Sequence, residues 1–248
     1  MMTSNSNNKT YIIAEIGVNH NGSVKLAKKL VDKAKNAGAD AVKFQSFSAQ
    51  NLASINTPKA KYQKKGTNKK ETHFAMLKKL ELNEKDTLEI FNYCKAKKIE
   101  FISTPYDVQS AQFLKKIGMK IFKTASADIS DHFLHEYLSK IKNTIIISTG
   151  MSSLNEVQSC INRYKKKMKK NIIILHCVSC YPAPLNILNL NVLDTLRQNF
   201  DLEIGFSDHT QGSLASIIAV SKGAKVIEKH FTLNKNMKGP DHKASMNY

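Results

Sequence analysis

The chain has 248 residues, 42% of them hydrophobic and 8% aromatic, enough for one large core or two small ones. Its formal net charge of +18 invites a nucleic-acid or membrane-surface reading, yet all but two of the 38 basic residues, Arg163 and Arg197, are lysines spread through nearly every helical segment. Forked arginines are what base and phosphate recognition favours, so the charge reads as a solvated surface compatible with an anionic small substrate, and nucleic acid is left out as a partner.

The opening MMTSNSNNKT lacks the basic-then-apolar pattern of a signal peptide, and no apolar run approaches the ~20 residues of a membrane span. Residues 1–10 therefore read as a disordered tail on a cytoplasmic protein with no membrane partner. From residue 11 two kinds of segment alternate. YIIAEIG (11–17) is a short apolar run and reads as a strand, whereas SVKLAKKLVDKAKNAG (23–38) has helical periodicity, with Ser23 placed to cap and Leu26, Leu30, Val31 and Ala34 on one face. AVKFQ (41–45) is the second strand-like run. Residues 47–85 are far longer than an ordinary connection between strand and helix, and read either as a lid or substrate-binding loop or as an added surface helix around HFAMLKKL.

Six more strand-like runs follow: EFISTP (100–105), KIFKTAS (120–126), TIIISTG (144–150), NIIILHC (171–177), LEIGFSDH (202–209) and KVIEKHF (225–231). In AGADAVKFQ, IGMKIFKTAS and KGAKVIEKHF a glycine suited to a left-handed helix C-cap precedes the strand. Short apolar strands alternating with amphipathic helices imply a parallel sheet covered by helices, and eight such units predict an α/β fold, a (β/α)8 TIM barrel over residues 11–248. An open doubly wound sheet is the alternative, but GVNHNG after the first strand does not match G-x-G-x-x-G. The densest basic run, RYKKKMKKN (163–171), is the best candidate for a nucleic-acid contact. Cys94, Cys160, Cys177 and Cys180 read as reduced thiols; CVSC has redox or zinc spacing, yet it sits where a strand runs into a proline-bound loop, without a second pair.

Barrel enzymes carry their chemistry at the C-terminal ends of the strands, and every run here ends in polar residues. These are Glu15, Lys43 and Gln45, Ser103 and Thr104, Lys123 and Ser126, Ser148, His176 and Ser179, Ser207 and His209, and Glu228 and His230. Residues two apart on a strand share a side, and burying so many polar groups for packing alone would be costly. Two lysines and several hydroxyls around one mouth suit a small ligand with phosphate and carboxylate groups. Two histidines on adjacent strands, His209 and His230, suit a divalent metal that keeps open positions.

The segments AEIGVNHNG, AVKFQ, KAKYQ, ISTPYD, STGM, LHCVSCYPAP, GFSDHT, IEKHFTL and GPDHKAS together resemble the bacterial sialic acid synthases, including the legionaminic acid synthases, from about residue 11 to the C-terminus. The resemblance implies condensation of phosphoenolpyruvate with the open-chain aldehyde of an N-acylated amino sugar, giving a nine-carbon 2-keto acid and inorganic phosphate by C–O cleavage. It implies Mn²⁺ or Mg²⁺ on His209 and His230, and Lys43, Thr104, Lys123, Ser126, Ser148, Ser179 and Ser207 around the phosphate and carboxylate. Glu15, Gln45, Tyr181 and Asp241 match positions that contact the sugar. Lys43, Lys123 and Glu228 stand among the catalytic groups with Asp128, which falls where the family usually has a glutamate near the attacking water, beside Ala127 in place of a usual glycine. A carboxylate shortened by one methylene reaches less far. His242 in GPDHKAS reads as loop structure and not as a third ligand, and the resemblance implies a homodimer for full-length members.

The sequence stops at KASMNY directly after the eighth strand. The expectation is a barrel without an eighth helix and without the family's small antifreeze-like domain, exposing the apolar flanks of its first and eighth strands. A truncated, inactive barrel or one piece of a split synthase is thus an alternative to an active enzyme. Another phosphoenolpyruvate-dependent aldol-type synthase is a further alternative, with KAKYQ and GPDHKAS favouring the first reading.

Overall fold

The computed structural model describes residues 9–248 except 61, 66, 69 and 165–170. Most of the RYKKKMKKN run and most of the N-terminal tail fall outside the described residues. Eight parallel strands, β1 (Tyr11–Gly17), β2 (Ala41–Ser46), β3 (Glu100–Pro105), β4 (Ile121–Thr124), β5 (Thr144–Ser148), β6 (Ile172–Cys177), β7 (Glu203–Asp208) and β8 (Val226–Thr232), pair in chain order. Strand β8 pairs back onto β1, with Ile13 opposite Glu228 and Glu15 opposite His230, so the sheet closes into the predicted barrel. A two-residue strand, β9 (Met246–Asn247), runs beside the end of β8.

Helix α1 (Val24–Asn36) follows β1, and α2 (Ala49–Leu52), α3 (His73–Leu80) and α4 (Glu84–Ala96) follow β2. Then α5 (Val108–Lys116), α6 (His132–Lys140), α7 (Leu154–Asn162), α8 (Val192–Asn199) and α9 (Leu214–Ser221) follow β3 to β7 in turn. Ser23 caps α1 by accepting from the Leu26 backbone N–H at 3.2 Å, and Leu30, Val31 and Ala34 are buried as predicted, joined by Ala27, whereas Leu26 is only half-buried. Gly38, at φ +84°, makes the left-handed step from α1 toward β2.

The barrel interior changes character along each strand. Ile13, Ala41, Ile102, Ile121, Ile146, Leu175 and Val226 form an aliphatic plug inside it. Two residues further on the same strands stand Glu15, Lys43, Thr104, Lys123, Ser148, Cys177 and Glu228, which line a cavity. Because residues i and i+2 point the same way, each aliphatic residue sets a polar one directly above itself, and a fully buried isoleucine contributes about 1.5–3 kcal/mol to holding that platform. On β7 the plug residue is Gly205, whose missing Cβ leaves room for the Val226 carbonyl and, at 2.6 Å, Leu175 Cδ2; Ser207 is the polar residue above it.

The expected bare flank of β1 and β8 is not found. Ala14, Ile16, Ile227 and Phe231 are buried in the cluster packed against the helices, and only Ile12 shows, at 36% exposure. Exposed apolar surface lies instead on α9, where Ala215 and Ala219 are buried while Leu214, Ile217, Ile218 and Val220 face outward. Small residues on the buried side bring α9 close to the sheet and leave its large ones in solvent. Among the described residues no helix is long and apolar enough to cross a membrane.

Candidate active site

The polar layer opens at the C-terminal mouth into a cavity of about 300 Å³, within the range of small-ligand sites. At its floor Lys43 Nζ lies 2.9 Å from Glu15 Oε2, 3.2 Å from Thr104 Oγ1 and 3.7 Å from Glu228 Oε2. Lys123 Nζ donates to Ser148 Oγ at 2.6 Å and to the Thr124 carbonyl at 2.8 Å, and stands 3.9 Å from Glu228 Oε2. Ser207 Oγ donates to Glu228 Oε1 at 3.0 Å. Burial alone would raise the pKa of Glu228, but the Lys123 and Lys43 ammoniums hold it at about 2. Glu15 goes the other way: burial, with Glu228 adding to it, outweighs Lys43 and pushes it up to about 7. Burial would lower Lys43, yet the two carboxylates raise it; burial does lower Lys123, which Glu228 offsets only in part.

Beside this floor is a cradle built round a glycine. Gly150 N–H donates to Ser126 Oγ at 2.9 Å, and a Cβ on Gly150 would stand 2.5 Å from Ser179 Oγ, 2.8 Å from Ser126 Oγ and 3.0 Å from the Cys177 carbonyl. Of the two hydroxyls Ser126 lines the cavity together with the Lys43 and Lys123 ammoniums and Ser148, a donor set suited to a phosphate or carboxylate.

The outer wall is aromatic. Tyr181 stacks on His209 with ring centroids 4.1 Å apart, meets His230 edge-on at 5.6 Å and stacks on Tyr62 at 5.2 Å. Asp241, Gln45, Gln63 and His73 complete this end with Tyr106. The 47–85 connection thus combines both readings made of it, since α3 forms a helix and the segment also lines the cavity with Tyr62, Gln63, His73 and Met76. Its anchor is the buried Lys59, whose Nζ bonds Thr67 Oγ1 at 2.8 Å, the Asn68 carbonyl at 2.5 Å and Glu71 Oε2 at 3.3 Å.

The profile of the NeuB family matches residues 30–248. The chain belongs to the NeuB family. It is 48% identical over 240 residues to the N,N'-diacetyllegionaminic acid synthase of Campylobacter jejuni, covering 96% of this chain and 72% of that one. It is 45% identical over 240 residues to the synthase of the same name from Legionella pneumophila, covering 95% of this chain and 67% of the relative. Among solved structures, an N-acetylneuraminic acid synthetase from Leptospira borgpetersenii in complex with citrate superposes with a TM-score of 0.86 at 34% identity, covering 97% of this chain and 79% of that one.

This NeuB-family barrel brings Glu15, Lys43, Gln45, Thr104, Lys123, Ser126, Ser148, Tyr181, Ser207, His209, Glu228, His230 and Asp241 to one cavity. Ser179 is not among the lining residues, although its hydroxyl and that of Ser126, which does line the cavity, both stand against Gly150. Asp128 is not among the lining residues: its Oδ2 turns back to accept the Ala125 N–H at 2.8 Å, so the short carboxylate caps its own turn, and burial raises its pKa to about 6. Ser103 and His176 face the helices, Ser103 bonding Ser46 at 2.8 Å and His176 Nε2 donating to the Leu188 carbonyl at 2.7 Å. Gly150, Cys177, Gln63, His73 and Tyr106 were missed by sequence reasoning. The CVSC pair is split between a buried Cys177 and an exposed Cys180, both free thiols.

The two histidines fit a divalent ion. His209 Nδ1 donates to the Val178 carbonyl at 2.8 Å, which leaves the lone pair on Nε2; Ser207 Oγ, 3.4 Å from that nitrogen, has its hydrogen committed to Glu228. His230 Nδ1 is buried without a hydrogen-bond partner, and the two ring centroids are 5.5 Å apart. A ring oriented by a carbonyl beside one with an unsatisfied nitrogen is the donor chemistry a metal takes. Among the described residues no cluster of three or more potential ligands exists, so the remaining positions would fall to substrate and water.

Proposed function

We propose that the chain joins phosphoenolpyruvate to the open-chain aldehyde of an N-acylated amino sugar, N-acetylmannosamine or a 2,4-diacetamido-6-deoxy relative, forming a nine-carbon 2-keto acid and inorganic phosphate. The observation that carries this reading is that the Lys43 and Lys123 ammoniums and the Ser126 and Ser148 hydroxyls line one cavity with Gln45, Tyr181 and Asp241. The named synthases at 48% and 45% identity support it, and favour the diacetylated acceptor.

In the reaction C3 of phosphoenolpyruvate bonds to the aldehyde carbon, water adds at C2 and the C2–O bond to phosphate breaks. Lys43, Thr104, Lys123, Ser126, Ser148, Ser179 and Ser207 hold the phosphate and carboxylate, and their charge is in place before any charge develops. Glu228, ionised between the lysines, keeps them protonated. Glu15, poised near neutrality, carries the proton that the aldehyde oxygen takes up as it becomes a hydroxyl. Gln45, Tyr181 and Asp241 orient the sugar. A divalent ion, Mn²⁺ or Mg²⁺, held by His209 and His230 supplies Lewis-acid polarisation of the aldehyde.

The test is phosphate release by the folded chain with phosphoenolpyruvate, Mn²⁺ and each sugar, with and without the C-terminal portion of the Campylobacter relative added. Release that depends on either sugar is expected. Release only with a phosphorylated sugar acceptor, or none under any condition, overturns the proposal.

A further inference from the structure

The loop after β1 and the segment after β8 are tied together by the half-buried Asn21 and the buried Asn19, Thr232, His242 and Ser245, side chains that the condensation chemistry does not use. Asn21 Nδ2 donates to the Lys238 carbonyl at 2.9 Å, and Asn21 Oδ1 lies 3.3 Å from His242 Nε2. His242 Nδ1 lies 2.7 Å from Thr232 Oγ1. The direction follows from Asn21: with its amide nitrogen committed to a carbonyl, its oxygen receives the His242 Nε2–H, and the Nδ1 lone pair accepts from the Thr232 hydroxyl. In parallel Asn19 Nδ2 donates to the Phe231 carbonyl at 2.9 Å and to Ser245 Oγ at 2.8 Å, and Ser245 Oγ donates to the Asp241 carbonyl at 2.7 Å.

The backbone is shaped for this contact. Asn21 sits at φ +50°, where asparagine is among the better-tolerated side chains. Gly239 has φ +154°, and a Cβ there would stand 2.6 Å from His242 Cδ2 and 2.8 Å from Asn21 Oδ1. His242 and Thr232 are fully buried, so the wiring is not loose surface polarity. What the network grips is the backbone on either side of Asp241, whose side chain lines the cavity.

We propose that His242 and Asn21 are positioning residues for the acceptor: they clamp the segment after β8 to the loop after β1 and thereby set where the Asp241 carboxylate stands. This rests on the condensation reading, in which Asp241 meets the sugar. The clamp acts on the sugar end alone, because the phosphoenolpyruvate groups are carried by other strands.

The experiment compares wild type, His242→Ala, Asn21→Gly and Thr232→Val, varying sugar and phosphoenolpyruvate in turn, and follows deuterium exchange at the amides of residues 239–246 without substrate. Expected are a rise of about tenfold in KM for the sugar with KM for phosphoenolpyruvate unchanged, faster exchange confined to that segment, and substantial rescue by His242→Gln. Unchanged exchange in both His242→Ala and Asn21→Gly overturns the clamp whether or not the chain turns over. Faster exchange with equal rises in both KM values overturns the acceptor role. A folded wild-type chain that releases no phosphate refutes the condensation and the acceptor role with it, while exchange still decides the clamp.

Discussion

Gly150→Ala tests the anion cradle with one carbon atom. The new methyl would stand 2.5 Å from Ser179 Oγ and 2.8 Å from Ser126 Oγ, closer than carbon and oxygen can sit, while the Cys177 carbonyl at 3.0 Å closes the retreat on the third side. Serine hydroxyls relieve such a clash by rotating about χ1, so the fold survives at a cost of about 1 kcal/mol, but both hydroxyls are displaced from the positions in which the proposed reading has them hold the anion. A hydrogen bond to a charged group contributes roughly 1.5–3 kcal/mol, so two of them at the lower bound amount to ~3 kcal/mol, about a hundredfold in kcat/KM for phosphoenolpyruvate. The assay is continuous phosphate release with phosphoenolpyruvate varied at fixed sugar, beside a urea titration to show that stability is retained. Placed on a Ser126→Ala/Ser179→Ala background, Gly150→Ala should cost almost nothing more, because the groups it displaces are already gone. A kcat/KM within threefold of wild type, or a full additive loss on the double background, would refute the cradle.

Three other outcomes follow from the same geometry. His209→Ala and His230→Ala should each abolish phosphate release, and chelation should silence wild type reversibly, with Mn²⁺ restoring wild type but neither variant; full activity in both variants would sink the metal assignment. Gly205→Ala should cost several kcal/mol in urea unfolding, since its Cβ meets the Val226 backbone carbonyl and Leu175 inside the plug; a midpoint like wild type would show that the plug is loosely packed. Stability should also fall on acidification, because burial lowers His20, His135 and His242 to about 4 and His230 to about 3. Such depressed values mean that the unfolded chain binds protons from pH ~6.5 downward while the folded one does not, so stability present above pH 6.5 drains away toward pH 4, at roughly 1.4 kcal/mol per pH unit for each histidine. Glu15, raised to about 7, and Asp128 and Asp241, each raised to about 6, oppose this by one proton apiece, fewer than the four histidines. An unfolding midpoint unchanged between pH 7.5 and pH 5 would contradict the burial of these rings.

What could be read from the sequence was decided by parity. On β2, β7 and β8 the polar residues Lys43 and Gln45, Ser207 and His209, and Glu228 and His230 are spaced by two, so one correct assignment carries its neighbour, and all six reach the cavity. On β3 Ser103 and Thr104 are consecutive and cannot both face inward; on β6 His176 precedes Cys177, and the less conspicuous thiol is the one inside. Alternation says that one of each pair points in, but not which, because apolar residues stand two positions before both members: Phe101 and Ile102 on β3, Ile174 and Leu175 on β6. Only the closed barrel separates them, with Ile102 and Leu175 inside and Phe101 and Ile174 against the helices. Asp128 is a different case, because a carboxylate three residues into a turn competes for the turn's own N–H groups, and the Ala125 N–H holds it away from the cavity. Gln63 and His73 were beyond any periodicity: their placement depends on Lys59 being buried against Glu71, Thr67 and the Asn68 carbonyl, a contact made only after the 47–85 connection has folded back on itself. Strand chemistry is local and repeats with the pleat, whereas a long connection gains its inward-facing residues from one tertiary anchor that no spacing announces.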